Sequence, residues 1–277
     1  MDDFSNKPLF EKCISLILSF TNHLLSLIDL VVRVWHKLQG IMEPLTDSSN
    51  IDVFHHKLVL GLHGRNSSPY QLKEIFDEAM KIENTDIDSS SSTSFHIPYI
   101  KDKGDAELDE MVQIIFNSAI KPWNDEGEDK ELVLVGISNG GRIARALEAK
   151  LKDLEKCNIT KIRYISIVGA NKGSSLVNLV NYIPFSWLFM SKAMADEMPV
   201  GSERNLQLDM DYAEALQKMP DIEREYTFIA SPHDWMVPDE ESTLMDVGAV
   251  KAKYAIVPRH GHNSIVKVTA KVVAQMI

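Results

Sequence analysis

From residue 57 onward the apolar positions follow two alternating rhythms. Short continuous runs, "KLVLGLHG", "SFHIPYI", "LVLVGIS", "KIRYISIVGA", "EYTFIAS" and "AKYAIVP", are rich in aliphatic and aromatic residues. Such runs suit strands covered on both faces. Between them, "SPYQLKEIFDEAMKI", "DAELDEMVQIIFNSAI" and the terminal "NSIVKVTAKVVAQMI" carry apolar residues three and four apart. These read as amphipathic helices, the first starting after Ser68 with Pro69 at its first position. Strands alternating with helices predict an α/β fold, a mostly parallel six-stranded sheet with helices on both faces.

Two segments break the rhythm. Residues 174–219, which begin "SSLVNLVNYIPFSWLFMSKAMADEM", lie between two strands and are too long for a plain crossover. They read as an inserted helical cap or lid, or else as a helix pair that completes the core. In a lid, Phe185, Trp187 and Phe189 would shield the site in water and contact lipid at an interface. The other exception is the N-terminus, where "LFEKCISLILSFTNHLLSLIDLVVRVWHKLQGI" is apolar almost throughout. Sixteen residues without a formal charge separate Lys12 from Asp29, fewer than the about 20 that span a bilayer. A helix over residues 1–45 is expected, packed on the domain or a second subunit, lying on a membrane surface, or spanning it. The linker "MEPLTDSSNI" then leads into one catalytic-sized domain over 46–277.

Composition narrows the field. A net charge of -11 over 277 residues, with no lysine- or arginine-rich block, argues against nucleic acid as a partner. Cys13 and Cys157 are the only cysteines, so no disulfide framework is present. Neither has metal-ligand spacing, and no metal or other cofactor is expected. The start "MDDFSNKPLFEK" lacks a positive n-region and a small-residue cleavage site. A cytoplasmic or peripheral-membrane location is expected, and a homo-oligomer is compatible with the apolar N-terminus.

Candidate chemistry centres on "LVLVGISNGGRIARAL". Here an apolar run stops at Gly136, Ser138 follows, and a helical pattern begins. A G-x-S-x-G pattern alone says little. At a sharp strand-to-helix turn it acquires a reason, because the central residue is strained and its neighbours must be small. Such a turn lifts Ser138 to the N-terminus of the next helix, where backbone N–H groups and the helix dipole favour an oxyanion.

A serine hydroxyl needs a base. "VPRHGHNSIV" after the last strand offers His260 and His262. His262 is the choice, since it follows a glycine and precedes a helix that fixes its backbone. An H-x-H metal pair is the rival, but no nearby cysteine or acid completes it. "TFIASPHDWMVPDEES" places Asp234 just past a strand end, whereas Asp239 and Glu240 suit the first turn of a helix. In "LGLHGRNSS", Gly64 permits close approach of the backbone, so the N–H of Arg65 can join that of Asn139 as an oxyanion donor.

From about residue 55 to the C-terminus the chain resembles α/β-hydrolases of the lipase and esterase kind. The resemblance is carried by "LHG", "GISNGG", "SIVGANKGSSL", "GHNSIV" and the D-x-x-V-P at Asp234 to Pro238. It implies a nucleophile at Ser138, an acid at Asp234 and a base at His262, in that chain order, with Arg65 and Asn139 as backbone donors. Two positions depart from it. Ile137 stands where lipases often carry histidine, and Asn171–Lys172 where they usually show Pro-His. The expected activity is hydrolysis of carboxylic esters, including lipid esters, through an acyl-enzyme. The alternatives are acyl transfer or thioester cleavage by the same residues, or a non-catalytic hydrolase fold that binds membranes or partners.

Overall fold

The computed structural model describes residues 51–85, 93–180, 191–234, 236–237, 245 and 251–277. The expected N-terminal helix over 1–45, the lid residues Phe185, Trp187 and Phe189, and the helix start at Asp239 and Glu240 lie outside the described residues.

Six strands form one parallel sheet. They are β1 (Lys57–Leu62), β2 (Thr93–His96), β3 (Lys130–Ile137), β4 (Ile159–Ile167), β5 (Glu223–Ala230) and β6 (Lys251–Ile256). Their spatial order is β2-β1-β3-β4-β5-β6, and every pair is parallel. Side chains alternate between two apolar layers, as a period of two requires. Leu132 and Leu134 of β3 enter one layer, and Val133, Val135 and Ile137 enter the other. With both faces covered, β3 has no polar face to show, which is why its sequence is apolar at six consecutive positions from Leu132 to Ile137 apart from one glycine.

The first layer packs the sheet against α2 (Leu108–Ile115), α4 (Asn139–Lys150) and α7 (Glu203–Lys218). The second packs it against α1 (Tyr70–Thr85) and α8 (Ser264–Ala274), through Leu72, Ile75 and Phe76 on one helix and Ile265, Val266 and Val273 on the other. Each such buried side chain contributes about 1.5–3 kcal/mol relative to exposure. Helix α2 continues as a π turn, Phe116–Ile120, into the short α3 (Lys121–Asn124). Pro122 accounts for the irregularity, because it has no N–H to donate and its ring crowds the preceding turn.

The structure divides residues 174–219. Helix α7 carries Leu208, Tyr212 and Ala215 into the first core layer and packs beside α4. It is the crossover helix between β4 and β5, so residues 203–218 complete the core. What remains for a cap is residues 174–202, with α5 (Ser175–Val180) and α6 (Lys192–Glu197). Met194 and Met198 at this end join Val177 and Val237 in a small apolar cluster separate from both main layers. Among the described residues no helix is long and apolar enough to cross a membrane.

Candidate active site

Because all six strands run the same way, the loops after β1, β3, β5 and β6 gather at one sheet edge. Each predicted site residue sits on one of these loops.

Ser138 lies between the last residue of β3 and the first of α4, with φ 55° and ψ -124°. An L-residue rarely adopts that conformation, and the surroundings enforce it. Its N–H donates to Ile167 O at 3.1 Å, and its carbonyl accepts from Gly141 N and Ala170 N, both at 3.0 Å. The flanking glycines are steric necessities. A Cβ on Gly136 would lie 2.6 Å from Gly140 O, and one on Gly140 would lie 1.9 Å from Leu62 O. The turn therefore tolerates no side chain at either position, and the close approach to β1 brings the loop after that strand alongside the serine.

That loop carries His63, Gly64 and Arg65. A Cβ on Gly64 would meet Ser138 Cβ at 3.0 Å, so the glycine backbone itself borders the serine. Gly64 N donates to Gln71 Oε1 at 2.9 Å. His63 Nδ1 lies 2.9 Å from Gly64 O, and since a carbonyl only accepts, Nδ1 carries the proton. Burial lowers the basicity of His63 below the ordinary histidine value, which suits a neutral ring holding a loop. Asn139 opens α4, and its side chain donates through Nδ2 to Gly104 O at 3.1 Å. As the first residue of the helix, its N–H is among those without an intrahelical acceptor.

On the far side of the edge, Asp234 and His262 meet. His262 Nδ1 stands 2.6 Å from Asp234 Oδ2. The other carboxylate oxygen, Oδ1, accepts from Met236 N at 2.8 Å and Val237 N at 3.1 Å. A carboxylate held at both oxygens fixes the ring and places the proton on Nδ1, which leaves the lone pair on Nε2. Ser138, Asp234 and His262 are 7%, 5% and 3% exposed. His260 is placed differently. Its carbonyl accepts from Ser231 Oγ, which ties the histidine loop to the acid loop.

Local sequence spacing points to Ser138, Asp234 and His262 but passes over Gln71 and Gly104. Gln71 occupies the buried face of an amphipathic helix, and a glutamine at an apolar position is the signal that could have singled it out. Asn171, at a departure from the lipase pattern, is fully buried. Its Oδ1 accepts from Tyr164 OH at 2.6 Å, and its carbonyl accepts from Arg145 at 3.2 Å. Ile137, at the other departure, is a core residue of the second layer. Among the described residues no cluster of histidine, cysteine or acid side chains could hold a metal ion.

The strand order, the parallel sheet covered on both faces and the strained serine between β3 and α4 decide the architecture. The fold is that of an α/β hydrolase. No protein-family model and no curated protein sequence matches the chain. Solved structures similar to it include Est1E from Butyrivibrio proteoclasticus with ferulic acid bound, at 12% identity and TM-score 0.49 over 80% of this chain and 88% of that one. A lipase-esterase related protein from Clostridium acetobutylicum is 16% identical, with TM-score 0.45 over 81% and 94%. A monoacylglycerol lipase from Paleococcus ferrophilus is 13% identical, with TM-score 0.45 over 79% and 95%.

Proposed function

We infer that this chain is a serine hydrolase of carboxylic esters, of the lipase and esterase kind, working through an acyl-enzyme. The observation that carries the reading is the buried Asp234–His262 pair at the same sheet edge as a serine held at φ 55°.

In this reading Ser138 Oγ attacks the acyl carbonyl and His262 Nε2 takes the serine proton. Asp234 keeps the proton of the neutral ring on Nδ1 and stabilises the imidazolium that forms. The N–H groups of Arg65 and Asn139 receive the negative oxygen of the tetrahedral intermediate. Preorganised donors of this type are worth roughly 10²–10³ in kcat each. The imidazolium then protonates the leaving alcohol, and water activated by His262 releases the acid. Acyl transfer would differ only in the nucleophile of the last step.

Lipid esters are favoured within the substrate class by the apolar stretch of residues 174–202, which would cap the site. An apolar helix over residues 1–45 would add contact with a membrane surface or a second subunit. A fluorophosphonate probe, with p-nitrophenyl esters of rising chain length, tests the reading. Labelling and turnover are expected in the wild type and absent in Ser138→Ala. A wild-type protein that neither labels nor hydrolyses any ester would sink it.

A further inference from the structure

The turn at residues 101–105, "KDKGD", belongs to none of the loops that carry the proposed catalytic residues, yet it touches both parts of the proposed oxyanion site. Lys103 O accepts from Asn66 N at 2.8 Å. Gly104 O accepts from Asn139 Nδ2 at 3.1 Å. A Cβ on Gly104 would lie 3.3 Å from Arg65 Cα and 3.6 Å from Arg65 N, so this turn and the Arg65 backbone are in contact. Asp102, Lys103 and Gly104 have φ of 49°, 55° and 81°, three consecutive residues in the left-handed region. Such strain persists only where the surroundings over-determine the conformation.

Asp105 follows that turn and faces two ways. Its Oδ1 accepts from Arg65 Nε at 2.6 Å. On the other side, Ser191 N donates to Oδ2 at 3.2 Å, and Ser191 Oγ donates to Asp105 O at 2.6 Å. Ser191 also caps α6, accepting from Met194 N at 3.1 Å. At the opposite end of α6, Glu197 Oε2 accepts from Leu108 N at 3.0 Å and pairs with the buried Arg142 at 3.5 Å. Thus α6 is fastened at both ends, and its N-terminal fastening is the carboxylate that holds Arg65.

We propose that Asp105 is a positioning residue that sets the oxyanion loop and locks it to the cap segment. The proposal rests on the ester-hydrolase reading above. Gly64 N is held by Gln71 and Asn66 N by Lys103 O, so the peptide between them is pinned on both sides. The bond from Arg65 Nε to Asp105 ties the side chain of residue 65 to the turn that also holds Asn66 N, which limits the rotation left to that residue. A misplacement of about 1 Å in a reacting site can cost about 100-fold in rate. Asp105 therefore acts on kcat through Arg65, without touching substrate.

The test uses p-nitrophenyl acetate, too short to depend on cap contacts, together with the rate of fluorophosphonate labelling. Asp105→Ala is expected to lower kcat 10- to 100-fold with KM within about twofold, and to slow labelling in parallel. Asp105→Asn keeps an oxygen acceptor and should fall between it and the wild type. Arg65→Met retains the backbone N–H and should reproduce the Asp105→Ala loss. The double variant should lose no more than the worse single one, since both remove the same contact. Thermal melting identifies any variant that fails to fold, and Arg65→Met then carries the measurement. A folded Asp105→Ala with unchanged kcat, a loss confined to KM, or additive losses would each overturn the proposal while leaving the hydrolase reading standing. A wild type with no turnover and no labelling would overturn both.

Discussion

Asp234 and Glu148 are both carboxylates withdrawn from water, and their surroundings differ in kind. Glu148 projects from α4 into the first core layer. It accepts from Tyr226 OH at 2.6 Å, Arg224 Nε at 3.0 Å and Tyr212 OH at 3.4 Å. Arg224 Nη1 donates to Met219 O and Ile222 O. Tyr212 OH also points at Tyr226 OH, so its single proton is shared between that oxygen and Glu148 Oε2. Every partner comes from a helix, a strand or the connection between them. Asp234 instead rests on a loop, with two backbone N–H groups on one oxygen and the His262 ring on the other. A cluster whose members hold one another between a helix and a strand is a fastening. A pair whose ring keeps one nitrogen uncommitted to the acid is equipped to move a proton. Burial is common to both, so it is the partner set, not the burial, that separates a structural acid from one suited to catalysis.

The sharpest way to break this contrast is to remove the proposed nucleophile and the structural acid in parallel. Ser138→Ala should lower ester turnover by about 10⁴-fold or more, with the melting temperature nearly unchanged. Turnover near wild-type level would end the comparison. The acid and base come next. Asp234→Asn and His262→Ala should each cost about 10²–10⁴ in kcat through loss of the correct tautomer or of the base itself. His260→Ala should cost far less, since Ser231 holds the carbonyl of that residue. The reverse ranking of the two histidines in steady-state kinetics would overturn the assignment.

Glu148→Ala should behave in the opposite sense. It leaves the buried Arg224 without its countercharge and should cost about 3 kcal/mol in unfolding free energy. Turnover per folded molecule should stay within about twofold, as read by denaturant titration alongside active-site labelling. A specific loss of kcat would mean that the cluster reaches the site after all.

The smallest effect concerns pH. Burial raises the Glu148 carboxyl above the ordinary glutamate value, against the pull of Tyr226 and Arg224. Between the unfolded and the folded values the folded state binds more protons than the unfolded one, so stability falls as pH rises. The contribution is full below the unfolded value and is lost as pH climbs through the folded one. The stability gap between wild type and Glu148→Gln should therefore narrow from mildly acidic towards neutral pH. A gap that widens would show that the ionised form is the favoured one in the core.

Much of the fold was legible because its signals are local. Six apolar runs predicted six strands, and six strands form the sheet among the described residues, with ends displaced by up to four residues. The elbow was legible for the same reason. Gly136 and Gly140 stand two residues either side of Ser138 because steric contacts at that turn admit nothing larger. Residues 174–219 were harder. Their apolar side chains suited either a cap or a core layer, and helical periodicity does not say which surface a helix will meet.

The sequence by itself determined the alternation of strands and helices, the strained serine turn, and the order in which serine, acid and histidine follow their strands. Each depends on residue types at fixed short spacings, which backbone geometry reads directly. Only the tertiary structure decided that α7 belongs to the core, that Asp234 meets the ring of His262, and that Asp105 lies between Arg65 and Ser191. The last of these contacts joins residues 40 and 86 positions apart. No spacing rule reaches that far, because the pairing is set by how the sheet edge and its helices stack, which is a property of the packed chain and of no segment within it.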